Sequence, residues 1–200
     1  MSSGWQTGDS RVAVVLAGGQ SRRFGGNKLA YPWQGSTLLE RVTESLHQTD
    51  FEVYLSVAHA NQIVCYRGHI LLDPLPGEGP LQALTGALDQ LDATRLLLVA
   101  GDMPFVLSGV FQQLWRSGEG ADLCFLEYQG KPSPLPGVYS KALLPAAREL
   151  IRSGKRDLKS LIRTTPKKII IPEDQWRRWD PEGVSLSNIN TLGDLECVTK

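Results

Sequence analysis

Apolar residues along the 200-residue chain fall into short runs, separated by polar, glycine-rich or proline-rich stretches. The first run, Val12 to Ala17 (VAVVLA), is continuous, which predicts a strand covered on both faces. Glu52 to Val57, His69 to Leu72, Leu96 to Ala100, Ala121 to Leu126 and Lys168 to Ile171 read as further strands. Between them apolar positions recur at helical spacing. Ser36 or Thr37 caps a helix carrying Leu38, Leu39, Val42 and Leu46. Pro80 opens another, through Leu91. Helices are also predicted over Leu107 to Arg116 and Lys141 to Arg152, with shorter ones over Asn61 to Tyr66 and Asp157 to Ile162. Pro132, Pro134 and Pro136 break the regular pattern before Val138 and Tyr139. A last strand over Ser187 to Ile189 and a Thr191-capped helix to Val198 close the chain.

Strand and helix alternate for most of this length, the order of an α/β fold with a mostly parallel central sheet. Residues 1–10 read as a disordered tail, and 11–200 as a single domain with no linker or repeat. Lys plus Arg and Asp plus Glu both number 21, so the formal net charge is +0. That balance argues against nucleic acid as the main partner. No apolar run approaches the roughly 20 residues that span a bilayer, and no leader pattern opens the chain. The expected compartment is the cytoplasm, with no membrane partner. The three cysteines share no metal-ligand spacing and read as small buried residues. His47, His59 and His69 form no motif.

In parallel α/β sheets, ligands bind beyond the carboxyl ends of the strands. Three signals fall at such ends. Leu16 to Leu29 (LAGGQSRRFGGNKL) sets glycines among two arginines and a lysine. Its glycines let backbone amides approach a phosphate, and Arg23 and Lys28 supply the opposing charge. The spacing matches neither a P-loop nor a dinucleotide fingerprint. Asp102 directly follows LLLVAG, where a hard carboxylate oxygen suits Mg²⁺ shared with phosphate oxygens and water; a turn aspartate is the plainer alternative. Asp73 ends its own strand before PLPGEGP and could contact a nucleobase, ribose or metal, or cap the turn. Positive loop, metal carboxylate and phosphates together describe nucleotidyl or phosphoryl transfer.

These segments resemble the molybdenum cofactor guanylyltransferases. LAGGQSRRFGGNK is similar to that family's L-A-G-G-x-S-x-R-M-G-x-D-K. LLDPLPGEGPLQALTGAL looks like D-x-x-P-G-x-G-P-L-A-G, VAGDMPFV like C-D-M-P-F, PLPGVYS like P-L-x-G-L-Y, and SNINTLGDL like N-x-N-T-P-E-D-L. The resemblance runs in order from Leu16 to Leu195. It implies a three-layer, Rossmann-like nucleotidyltransferase fold. It further implies transfer of GMP from GTP to the phosphate of molybdenum-molybdopterin, releasing pyrophosphate, with Mg²⁺ as cofactor. By motif position, Leu16, Ala17, Gly18, Gly19, Lys28, Asp73 and Asp102 would bind GTP. Lys28, Asp102 and Arg23 would be catalytic, and Asp102 would hold the metal. Molybdenum-insertion proteins and recipient molybdoenzymes are the implied protein partners.

The match has departures. Asn27 stands where the family carries Asp, Ala83 replaces a glycine, Ser133 stands where many relatives carry His, and Leu192–Gly193 replaces Pro-Glu. Lys28 and Asp102 remain, so an active enzyme is expected. A cytidylyltransferase using CTP and a non-catalytic nucleotide-binding regulator of cofactor delivery are the alternatives.

Overall fold

The structure is a computed structural model and describes residues 10–18, 28–59, 66, 68–187, 189, 191 and 193–194. The predicted tail, the segment 61–65 and the end of the closing helix lie outside the described residues.

The continuous run VAVVL forms β1 (Val12–Leu16), buried over its first four residues. After a 3-10 turn over Lys28–Ala30 come two short paired strands, β2 (Pro32–Trp33) and β3 (Ser36–Thr37). Thr37 then caps α1 (Leu38–His47). Its hydroxyl accepts the Glu40 N–H while the Glu40 carboxylate accepts the Thr37 N–H, a reciprocal capping box. β4 (Glu52–Val57) and β5 (His69–Leu72) follow at the expected bounds. α2 (Pro80–Gln90) carries Pro at its first turn, and β6 (Arg95–Ala100) leads to α3 (Ser108–Ser117). β7 (Leu123–Tyr128) turns into β8 (Lys131–Ser140). A 3-10 turn then runs into α4 (Leu144–Arg152), and α5 (Leu158–Thr164) starts at an Asp157 cap. β9 (Lys168–Ile171) and the one-turn α6 (Glu173–Trp176) precede a 3-10 turn over Val184–Leu186.

Seven strands form the main sheet in the order β5-β4-β1-β6-β8-β7-β9. β8 is antiparallel to both of its neighbours, while the other pairings are parallel. Alternation along each strand divides the apolar side chains between two layers. Ala13 and Val15 of β1 pack towards α1, α3 and Trp176 of α6. Val12 and Val14 pack towards α2, α4 and α5. Helices therefore cover both faces, which explains why the central strands β1 and β6 read as unbroken apolar runs.

Two expectations are corrected. The proline-rich 132–136 stretch belongs to a ten-residue strand. Pro134, Leu135 and Pro136 fall where the β7–β8 register shifts between Phe125 and Leu126. The ladder makes no demand on a proline N–H at such an interruption. Ser187 to Ile189 is not a strand among the described residues. The Val184–Leu186 turn ends just before it, and the Ile189 N–H donates to the Asp102 carbonyl at 3.0 Å.

Candidate active site

β1 and β6 lie side by side and in parallel, with Leu16 opposite Ala100, so the loops that follow them open at the same edge. The main chain ties these ends together. The Ala17 N–H donates to the Ser56 carbonyl at 2.8 Å, and the Gly101 N–H to the Leu16 carbonyl at 3.0 Å. A Cβ at Gly101 would stand 3.0 Å from that carbonyl oxygen and 3.2 Å from both Leu29 methyls. A side chain there would press on Leu29 and on the β1 backbone. Leu29 brings its neighbour Lys28 over the end of β6.

Lys28 Nζ donates to Asp102 Oδ2 at 2.8 Å. The lysine side chain is 10% exposed and the aspartate 28%. An ion pair this sheltered is screened far less than one at the surface, though each partner has lost part of its hydration. The cation and the carboxylate singled out separately by sequence, 74 residues apart, meet at one point. Gly18 sits at the end of β1 with room to spare, since a Cβ would make only ordinary contact with the Ala58 amide. Gly19, Arg23 and Asn27 lie outside the described residues.

Asp73 is placed at the same edge, but β4 separates β5 from β1. Two inter-strand spacings put it about 10 Å to the side of β1. Its carboxylate accepts the Leu75 N–H at 3.0 Å, and its own N–H donates to the Val57 carbonyl. The turn role considered for Asp73 is thus present. The loop beyond Asp73 is fixed at its far end. Glu78 pairs with Arg156 at 2.7 Å, and the Arg156 carbonyl accepts the Leu81 N–H, serving as the cap that Gly79 cannot supply. Ala83 is buried in the first turns of α2. Ser133 donates to the Leu135 carbonyl within the irregular part of β8.

Sequence reasoning assigned no role to Asp180, Ser185 or Ile189. All three follow α6, and Ser185 and Ile189 bond to the backbone at the two ends of the 102–107 loop. The Leu107 N–H donates to Ser185 Oγ at 3.2 Å, and Ser45 Oγ donates to the Val106 carbonyl at 2.6 Å. The available signal was the closing SNINTLGDL segment, whose Thr191 and Asp194 do form reciprocal capping bonds.

Among the described residues, no cluster of three or more His, Cys, Asp or Glu side chains could hold a metal ion. A lone carboxylate such as Asp102 fits a cation that brings most of its ligands with it, as Mg²⁺ does when it arrives on phosphates with bound water. Among the same residues no helix is long and apolar enough to cross a membrane.

Comparison with known proteins agrees with this geometry. Residues 13–172 match the family model described as the MobA-like NTP transferase domain. A Methanosarcina mazei protein named "Probable molybdenum cofactor guanylyltransferase" is 30% identical over 198 residues, covering 93% of this chain and 88% of its own. A Chloroflexus aggregans protein of the same name is 30% identical, covering 92% and 91%. The crystal structure of molybdopterin-guanine dinucleotide biosynthesis protein A from Archaeoglobus fulgidus superposes with a TM-score of 0.82 at 26% identity, covering 94% of this chain and 99% of that one. A nucleotidyltransferase sheet, a lysine–aspartate pair across its adjoining strand ends, and these matches place the chain in the MobA-like NTP transferase family.

Proposed function

We propose that this chain transfers GMP from GTP to the terminal phosphate of molybdenum-molybdopterin, in the cytoplasm, giving the guanine dinucleotide cofactor and pyrophosphate. The observation that carries the reading is the Lys28–Asp102 pair closed between β1 and β6. Its context is a chain whose 30%-identical relatives bear the guanylyltransferase name.

In this reading the triphosphate lies over the end of β1, against Leu16, Ala17, Gly18 and Gly19. Asp73 faces the nucleoside side of the edge. A phosphate oxygen of the acceptor attacks the α-phosphorus of GTP. The new P–O bond forms as the bond to the β-phosphate bridging oxygen breaks, and pyrophosphate carries away the charge. The attacking group is already an anion, so no general base is needed. Lys28 Nζ turns from Asp102 to the phosphates and stabilises the charge that builds on them, with Arg23 as a second cation. Asp102 is then free to hold Mg²⁺, which when bound neutralises phosphate oxygens and favours the leaving group.

The test is Mg²⁺-dependent pyrophosphate release with molybdenum-loaded molybdopterin, run in parallel with GTP, CTP, ATP and UTP. Release with GTP alone is expected. Preference for CTP would overturn the base assignment and keep the mechanism. Binding of GTP without turnover on verified acceptor would make the chain a non-catalytic nucleotide binder.

A further inference from the structure

Asp180 is a buried carboxylate, 1% exposed, and among the described residues it makes no ion pair with a lysine, arginine or histidine. Burying a charge without a counter-charge is costly, so its bonds must return much of that cost. Both oxygens are used. Oδ1 accepts the Gly183 N–H at 3.0 Å and Oδ2 accepts the Ser185 N–H at 2.7 Å. Bonds from backbone amides to an ionised oxygen are the stronger kind. They wind residues 180–186 into a closed turn with Ser185 fully buried at its centre.

What the turn presents is directed at the candidate site. Ser185 Oγ accepts the Leu107 N–H, at the far end of the loop that begins with Asp102. The Ile189 N–H takes the Asp102 carbonyl, at the near end. Ser185 and Ile189 therefore hold the two ends of the 102–107 loop, and the carboxylate of Asp180 shapes the turn that carries Ser185. An ordinary turn at the surface would need none of this burial.

We propose that Asp180 is a positioning residue for Asp102. Its charge sets the 180–189 segment, which fixes the Asp102 backbone and so the direction in which the Asp102 carboxylate points. The functional half of this inference rests on the reading that Asp102 serves a metal–nucleotide complex; the structural half does not.

The test uses the full chain with Asp180→Asn, which keeps the size but sets an amide N–H₂ against one of the two donors. Two readouts are taken. Hydrogen exchange at the Leu107 and Ile189 amides reports the grip itself. Binding of GTP with Mn²⁺ as a spectroscopic probe, without acceptor, reports its consequence. Ser185→Ala, which removes one contact and leaves Asp180 in place, is the second variant should Asp180→Asn fold poorly. Leu161→Ala, in the apolar layer on the opposite face of the sheet, is the control for lost stability alone. Expected are faster exchange at Leu107 and Ile189, with β1 and β6 amides unchanged, and Mn²⁺·GTP binding about tenfold weaker, the usual scale for loss of a group that orients a ligand. Leu161→Ala should leave that affinity within twofold while the chain is folded. Unchanged exchange at both amides, or wild-type affinity in Asp180→Asn and Ser185→Ala, overturns the inference. So does an equal loss of affinity in Leu161→Ala. Wild-type protein that does not bind Mn²⁺·GTP, with exchange still raised locally by Asp180→Asn, overturns the functional reading and leaves the positioning of Asp102 standing.

Discussion

The two halves of the sheet do different jobs. In β5-β4-β1-β6 every pairing is parallel, and the groups with chemistry to offer stand just past the strand ends: Lys28, Asp73 and Asp102. In β8-β7-β9 one strand is reversed, the ladder shifts register, and side chains mostly grip neighbouring backbone. Trp176 Nε1 donates to the Glu127 carbonyl and Glu173 accepts the Gln129 N–H, while Ser185 reaches across to the Leu107 N–H beyond β6. A parallel half aims several loops at one edge because every strand points there. A hairpin half returns the chain on itself and serves better as a brace than as a source of reacting groups.

This contrast breaks most sharply at the pair itself. Asp102→Ala should lower kcat/KM by about 10³-fold, the scale on which a site group aimed at developing charge acts, with the far-UV circular dichroism spectrum unchanged. Near-normal turnover would move the reaction away from β6. Lys28→Ala should cost about 10²-fold, divided between weaker GTP binding and slower transfer; unaltered steady-state kinetics would remove the lysine from the triphosphate. Next comes the loop that enters α2. Gly79 has φ +92, and a Cβ there would stand 2.8 Å from the Arg156 carbonyl oxygen. Gly79→Ala should lower unfolding stability in urea by about 2–3 kcal/mol. Gly120→Ala, at φ +73 with nothing within 4 Å, should cost only about 1 kcal/mol. Equal losses would mean the α2 entry is looser than its contacts imply.

The smallest effect sits in the capping box of α1. The Thr37 N–H, and then its hydroxyl, hold the Glu40 carboxyl below its ordinary 4.5. The folded chain thus binds fewer protons here than the unfolded one. The resulting stability is present above pH 4.5 and is lost as pH falls through the lower folded value. Glu40 is exposed, so solvent screening keeps the contribution to no more than about 0.5 kcal/mol. Glu40→Gln should flatten the acid limb of the melting profile by that amount. A profile that does not change would make the cap a matter of geometry alone.

The same division governs what could be read from the sequence. β1 and β6 were legible because burial on both faces leaves a run of apolar residues that little else explains, whereas β4, β5 and β9 were short apolar or alternating stretches whose bounds the sequence marked without that burial. Asp102 was legible because a charged group just after an unbroken apolar run has few structural reasons to be there, and Lys28 because it closes a glycine-rich loop that carries two arginines. β8 was not, since its prolines argue against a strand and the register shift that tolerates them depends on β7. Asp180 was missed for a related reason. A carboxylate between Trp179 and Pro181 looks like a surface turn, and only the fold reveals that it is enclosed. Asp73 was found at its strand end, but its bond to the Leu75 N–H is local, and sequence offers no way to rank the turn against the ligand.

One consequence remains in the closed pair. Lys28 and Asp102 oppose each other's charge at 2.8 Å. GTP alone meets a cation already engaged, and a metal ion alone meets a carboxylate already occupied. A metal–nucleotide complex offers a partner to both, exchanging one internal contact for two new ones. Under the proposed function, the two ligands therefore bind cooperatively, each raising the affinity for the other by the same factor. The salt bridge behaves as a two-key lock.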